Sequence, residues 1–150
     1  MRALVLVLVV VAVGSVGLGA CSSGLSKSQD LLTDVRSFQE GLRWRRYEAA
    51  ANYVPAAARE KFLEAHDEID QDLRIDDYEL QRVKLEEAGE DALVRVKYTW
   101  HRESVGTVHD TVVEQRWERQ GKVWRVVATE HKRGVELPAT VVVSKGLALP

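Results

Sequence analysis

Cysteine is nearly missing from this chain. Its 150 residues hold one, at position 21, so no disulfide framework can staple the fold. A basic excess is missing too: charges of both signs are interspersed and sum to −2, which leaves no patch of the kind that grips nucleic acid. After the N-terminal leader no apolar run approaches the ~20 residues that a membrane-spanning helix needs. Internal repeats and low-complexity blocks are absent, and nothing points to a cofactor. What remains is enough chain for one domain with a single core.

What is present begins with Arg2, an apolar run from Ala3 to Val13, and Gly14-Ser15-Val16-Gly17-Leu18-Gly19-Ala20-Cys21. A positive end, an apolar segment and small residues before a processing point are the parts of a secretory signal. The glycines and Ser15 thin out the last turns, which makes a permanent span marginal. An uncleaved anchor with an incidental cysteine is the alternative. Leu18-Gly19-Ala20-Cys21 resembles the lipobox of bacterial lipoproteins. That resemblance implies a diacylglyceryl group on the Cys21 sulfur, cleavage before Cys21, and acylation of the new amino end by a fatty acid such as palmitate. A thiolate is the nucleophile such chemistry needs. Each buried methylene contributes about 0.8 kcal/mol, so two or three acyl chains hold a protein on a bilayer almost permanently. Within that family, Ser22 in place of an aspartate implies sorting to the outer membrane, facing the periplasm. Residues 1–20 are expected to be a signal peptide, and residues 21–29, with Ser22-Ser23-Gly24-Leu25-Ser26-Lys27-Ser28, a polar flexible tether.

From Leu31 the apolar spacing is helical: Leu32, Val35, Phe38 and Leu42 recur at steps of three and four. Ser26 or Ser28 suits the start of that helix, and Ser26 with Gln29 has the spacing of a capping box. Arg43, Arg45 and Arg46 fall where a helix end favours positive charge. Tyr47, Ala50, Ala51 and Val54 mark a second short helix that ends at Pro55. A third, starting at Pro55 and running to about Asp70, is expected to bury Ala58, Phe62, Ala65 and Ile69. His66, beside Asp67 on its polar face, is expected at the surface. Arg43-Trp44-Arg45-Arg46 has two readings: a grip on anionic headgroups with Trp44 at the interface, or a helix terminus with a half-buried tryptophan and solvated arginines, which three arginines fit better.

After Arg74 the period becomes two. Ala92, Val94, Val96, Tyr98 and Trp100 alternate with polar residues, as do Thr111, Val113, Gln115 and Trp117, and then Trp124, Val126 and Ala128. Between Ile75 and Glu87 the parity changes, with Tyr78 and Leu80 on one side and Val83 and Leu85 on the other. That change predicts a bulge near Gln81 or Arg82. Ala88-Gly89-Glu90-Asp91, Ser104-Val105-Gly106-Thr107 and Gln120-Gly121 each supply a glycine for a tight reversal. The expectation is an α+β fold, N-terminal helices packed on a curved four- to five-stranded antiparallel meander over residues 30–131.

A leading helical region with Arg46-Tyr47-Glu48-Ala49-Ala50, a bent sheet, and a closing strand Gly121-Lys122-Val123-Trp124-Arg125-Val126 resemble the NTF2-like superfamily. The resemblance implies a sheet wrapped round a helix into a cone. Enzymes of that family, ketosteroid isomerase among them, place an Asp or His and a Tyr inside the cone. A carboxylate held in such an apolar pocket has a raised pKa and shuttles protons. Strand parity sends Tyr98, His109, Thr111 and Gln115 to the apolar face of this chain, with no Asp or Glu beside them on those three strands. Tyr98, Trp100, His109, Gln115, Trp117 and Trp124 are the candidate pocket lining. Without a carboxylate to orient His109, a base–orienter pair is missing, and a side-chain-filled interior is the simpler reading.

On the opposite face, tight pairing at the turns puts His101 across from Asp110 and Asp110 across from His131, a row able to bind a divalent ion weakly. A row of solvated cross-strand pairs is the plainer expectation. Residues 132–150 form a tail in which Ala139-Thr140-Val141-Val142-Val143-Ser144 reads as an edge strand, a strand-addition segment for a partner, or a frayed end. Three functions follow: a membrane-anchored non-catalytic accessory domain meeting an envelope protein or a small apolar ligand, an isomerase- or dehydratase-like enzyme, and a lipid carrier. The first is the sequence-based expectation, and the size of the internal cavity separates it from the other two.

Overall fold

A computed structural model describes residues 22–139. Cys21, the leader, and Thr140 to Ser144 of the expected edge strand lie outside them. Helix α1 (Ser22–Arg43) is followed by α2 (Tyr47–Ala51), a single 3-10 turn at Ala56–Ala58, and α3 (Arg59–Ile69). Strands β1 (Leu73–Leu85), β2 (Asp91–Arg102), β3 (Val108–Gln120) and β4 (Val123–Gly134) complete the order. The sheet is a four-stranded antiparallel meander, β1-β2-β3-β4. The chain is therefore α+β, helices first, with an open sheet.

Helix α1 buries Leu31, Val35, Phe38, Gln39 and Leu42 against the sheet, and it touches both edge strands, β1 and β4. Leu32 sits at the margin of that stripe rather than in it. Residues 22–29 of the stretch read as a tether are helical, and Ser26 and Ser28 lie inside the helix instead of capping it. Lys27 secures this end through an ion pair with Glu90, 2.5 Å away in the β1–β2 turn. At the other end Arg46 N–H donates to the Gly41 carbonyl (2.8 Å) and Arg45 N–H to that of Leu42 (3.2 Å), the paired bonds of a Schellman stop. Arg45 holds the left-handed position (φ 55°) where glycine is usual.

Pro55 stands before the 3-10 turn, one residue ahead of the first helical position. Along α3 the stripe runs through Phe62 and His66, not Ala65. His66 is 5% exposed, which corrects the surface placement expected for it. It lies four residues after Phe62, where a helix brings side chains together, and its ring lies tilted against those of Phe62 (4.1 Å) and Tyr47 (4.7 Å).

Both edge strands carry bulges. In β1 the pairing with β2 slips at Asp76 and again at Gln81. Each slip changes the strand's parity, so Ile75, then Tyr78 and Leu80, then Val83 and Leu85 all face the side of Trp100, Tyr98, Val96, Val94 and Ala92. The bulge expected near Gln81 is present, and the one at Asp76 was not foreseen. In β4 the extra residues are Val127 and Lys132. The first of them turns Ala128 outward, opposite Arg116, and Thr129 inward, opposite Gln115. The turn glycines Gly89, Gly106 and Gly121 all have positive φ, as their positions demanded.

Candidate functional site

Between α1 and the two central strands lies a ring of neutral hydrogen bonds. Tyr98 Oη donates to Gln39 Oε1, Gln39 Nε2 donates to Gln115 Oε1 (2.9 Å), and Gln115 Nε2 returns to Tyr98 Oη (3.2 Å). Trp117 Nε1 adds a fourth donor to Gln115 Oε1 at 3.3 Å. Tyr98, Gln39, Gln115 and Trp117 are all buried. Each bond of such a closed cycle polarises the next, and a single deletion strands partners that water cannot reach. Burial pushes the Tyr98 hydroxyl far above its ordinary value, so it stays a neutral donor.

The space left beside this ring is small. A cavity of about 20 Å³ is bordered by Phe38, Leu42, His66, Tyr98, Gln115 and Thr129, and is closed by Leu137, Pro138 and Ala139. That is room for about one water molecule. Of the expected pocket lining only Tyr98 and Gln115 reach it. Trp117 and Trp124 are fully buried packing residues, with Phe38 edge-on to Trp117 at 5.6 Å. Trp100 Nε1 donates to Thr111 Oγ1 (2.8 Å), and His109 rests on the Trp100 ring at 4.9 Å.

The buried polar side chains among the described residues are Gln39, His66, Thr111 and Gln115, with no carboxylate among them. His66 donates from Nδ1 to the Phe62 carbonyl (2.7 Å), the tautomer that suits a neutral ring. Burial lowers its pKa, and the bond to Phe62 opposes that shift. Tyr78 hydrogen-bonds Glu40 at 2.9 Å; desolvation first, then that carboxylate, push its hydroxyl up to about 12. Asp34 accepts from the backbone N–H of Trp124 (2.8 Å), and its partial burial raises its pKa despite that bond.

The proposed ligand row is taken apart by register. Strand β2 pairs with β3 two residues away from the tight-turn expectation, so Asp110 faces Thr99 and His101 faces Val108. His101 Nδ1 instead meets Asp76 Oδ2 of β1 at 2.9 Å. Asp110 accepts from Thr99 Oγ1 (2.8 Å) and pairs with Lys97 (2.9 Å). The Val127 bulge brings His131 opposite Val113, on the other face from Asp110. No three His, Cys, Asp or Glu side chains among the described residues are grouped to hold a metal.

At the end of α1, Trp44 is 60% exposed rather than half-buried. Its indole donates to Glu40 Oε2 (2.7 Å), and the Arg43 guanidinium lies 5.3 Å from its ring. Arg43 pairs with Asp77 at 3.2 Å and Arg45 with Asp70 at 3.6 Å, so acids match these two arginines. Among the described residues no helix is long and apolar enough to cross a membrane.

Gln39 and His66 are the buried polar residues that sequence reasoning missed. Gln39 continues the helical step from Leu31 and Val35, and that spacing was the available signal. Comparison of the sequence with family models and with curated proteins gives no match.

Proposed function

We propose that this chain is a cell-envelope lipoprotein: a non-catalytic accessory or binding domain of NTF2-like kind, held on a membrane through an acylated Cys21. Outer-membrane attachment facing the periplasm is part of the proposal. The observation that carries the non-catalytic part is the closed ring of Gln39, Tyr98 and Gln115, which leaves only about 20 Å³ between helices and sheet, while the wider cleft of about 710 Å³ along Arg46, Tyr47, Leu63, Asp67 and Asp70 lies open at the surface. Substrate pockets are on the order of 300 Å³ or more. The contact of α1 with both edge strands, and the bulges that bend those strands, support the NTF2-like assignment.

Attachment rests on the leader and on Leu18-Gly19-Ala20-Cys21. Because residues 22–29 are already helical, a long flexible spacer between anchor and domain is not part of the proposal. At 1.5 Å per residue, Leu42 and the cavity stand about 30 Å along α1 from the anchored end, and the β1–β2 turn that holds Lys27 stands nearest to it.

Metabolic labelling with a fatty-acid analogue tests the attachment. The native chain is expected to incorporate label and Cys21→Ser to lose it; equal labelling of both, or of neither, counts against the proposal.

A further inference from the structure

Of the three arginines around the end of α1, Asp77 matches Arg43 and Asp70 matches Arg45. Arg46 has no ion-pair partner among the described residues, and neither has Arg36, farther back on α1. Residues 1–21 and 140–150 hold no aspartate or glutamate, so no acid side chain outside the described residues remains for them. Both arginines border one cleft of about 460 Å³ between α1 and α2. Ser37, Asn52 and Tyr53 border it too and bring two hydroxyls and an amide, while Gly41 and Ala49 have no side chain long enough to fill it. Glu40 is the one acid in this lining. It stands four residues after Arg36, the usual distance for a helical ion pair. Tyr78 Oη and Trp44 Nε1 hold its two oxygens instead, at 2.9 and 2.7 Å. The lining keeps a positive balance. In the wider cleft, which Arg46 also borders, acids outnumber arginines, and beside the β3–β4 turn Asp30 and Asp34 balance Arg119 and Lys122.

We propose that this cleft binds the phosphate of a phosphomonoester, held by Arg36 on its α1 side and Arg46 on its α2 side. A guanidinium presents paired N–H donors that match phosphate oxygens, and it stays charged at every physiological pH. Two of them suit a doubly charged group. The three acceptor oxygens of a phosphomonoester also give Ser37, Asn52 and Tyr53 acceptors that a carboxylate, with two, would lack. The remaining room admits the organic group that the phosphate carries. Arg36 and Arg46 are both exposed, so water and salt screen each contact and the affinity is expected near ~1 mM. The site depends neither on lipidation of Cys21 nor on the buried ring.

Phenylglyoxal modification of the full chain, read at each arginine by peptide mass, tests it. Phenyl phosphate at constant ionic strength is expected to protect Arg36 and Arg46 together and saturably. Arg82, exposed and outside the cleft, should stay unprotected. In Arg46→Gln, protection of Arg36 should need at least ~10-fold more phenyl phosphate. No protection up to about 10 mM, or equal protection of Arg82, would overturn the site. Equal protection by benzoate would overturn its assignment to phosphate. The full chain in phosphatidylcholine vesicles, with and without phosphatidic acid, separates the two sources of such a group. Protection by phosphatidic acid as well assigns a lipid headgroup, and protection by phenyl phosphate alone assigns a soluble ester.

Discussion

Gly41 marks the closest approach of α1 and α2: a Cβ there would lie 2.8 Å from the Cβ of Ala50. Alanine favours a helix over glycine by about 1 kcal/mol, but overpacking costs ~1–3 kcal/mol. Gly41→Ala is therefore expected to lower stability by about 1 kcal/mol in urea denaturation. In the interior ring, Gln39→Leu and Tyr98→Phe each strand a buried partner and should cost about 1–3 kcal/mol. The double variant should cost less than their sum, by ~1 kcal/mol, since both remove the Tyr98–Gln39 bond. His66 gives the ring's surroundings a pH dependence. Its folded pKa is lowered from 6.5, so below that value the unfolded chain binds the proton more readily. Its contribution is complete above pH 6.5 and is lost as pH falls toward the folded pKa. Urea midpoints from pH 7 down to 5 should decline, and His66→Gln should flatten the decline. Tyr98 is legible in the sequence as a polar residue on the apolar face of its strand, whereas Gln39 and His66 are not, because a glutamine or histidine on an apolar helical stripe reads as an interruption until the partner strand is known.

Elements were more legible than their ends and pairings. The helical stripe through Val35, Phe38 and Leu42, the alternation from Ala92 to Trp100, and the turn glycines are local patterns, and local patterns fix local structure. The parity change between Leu80 and Val83 disclosed the Gln81 bulge for the same reason. Register is different, because it is set by a loop's conformation rather than by either strand. The β2–β3 loop spans Glu103 to Thr107, with Val105 and Gly106 N–H both donating to the Arg102 carbonyl, and this moved the pairing by two residues. The early start of α1 was hidden because its first turns carry little apolar pattern, and Lys27 finds Glu90 only in the fold. The Gln81 bulge also yields a prediction. Removing Gln81 shifts the parity of one part of β1 and turns Val83 and Leu85, or the residues before them, away from the core. Two side chains at about 1.5–3 kcal/mol each set the scale. Deletion of Gln81 should cost on the order of 3 kcal/mol in a urea titration, whereas Gln81→Ala should be close to neutral.

At the scale of the whole molecule, the domain is a filled α+β body whose first helix starts beside the residue proposed to carry lipid. Its neutral ring pins α1 to the middle of the sheet, and its edge strands carry bulges. The reading of this body as an envelope passenger depends on what happens at one sulfur. Intact-mass and peptide analysis of the protein isolated from its native membranes is the most direct measurement. The account predicts a chain beginning at Cys21 and heavier than its peptide mass by a diacylglyceryl group, with or without a further acyl chain. A chain that retains its leader, or an unmodified thiol at Cys21, would contradict it.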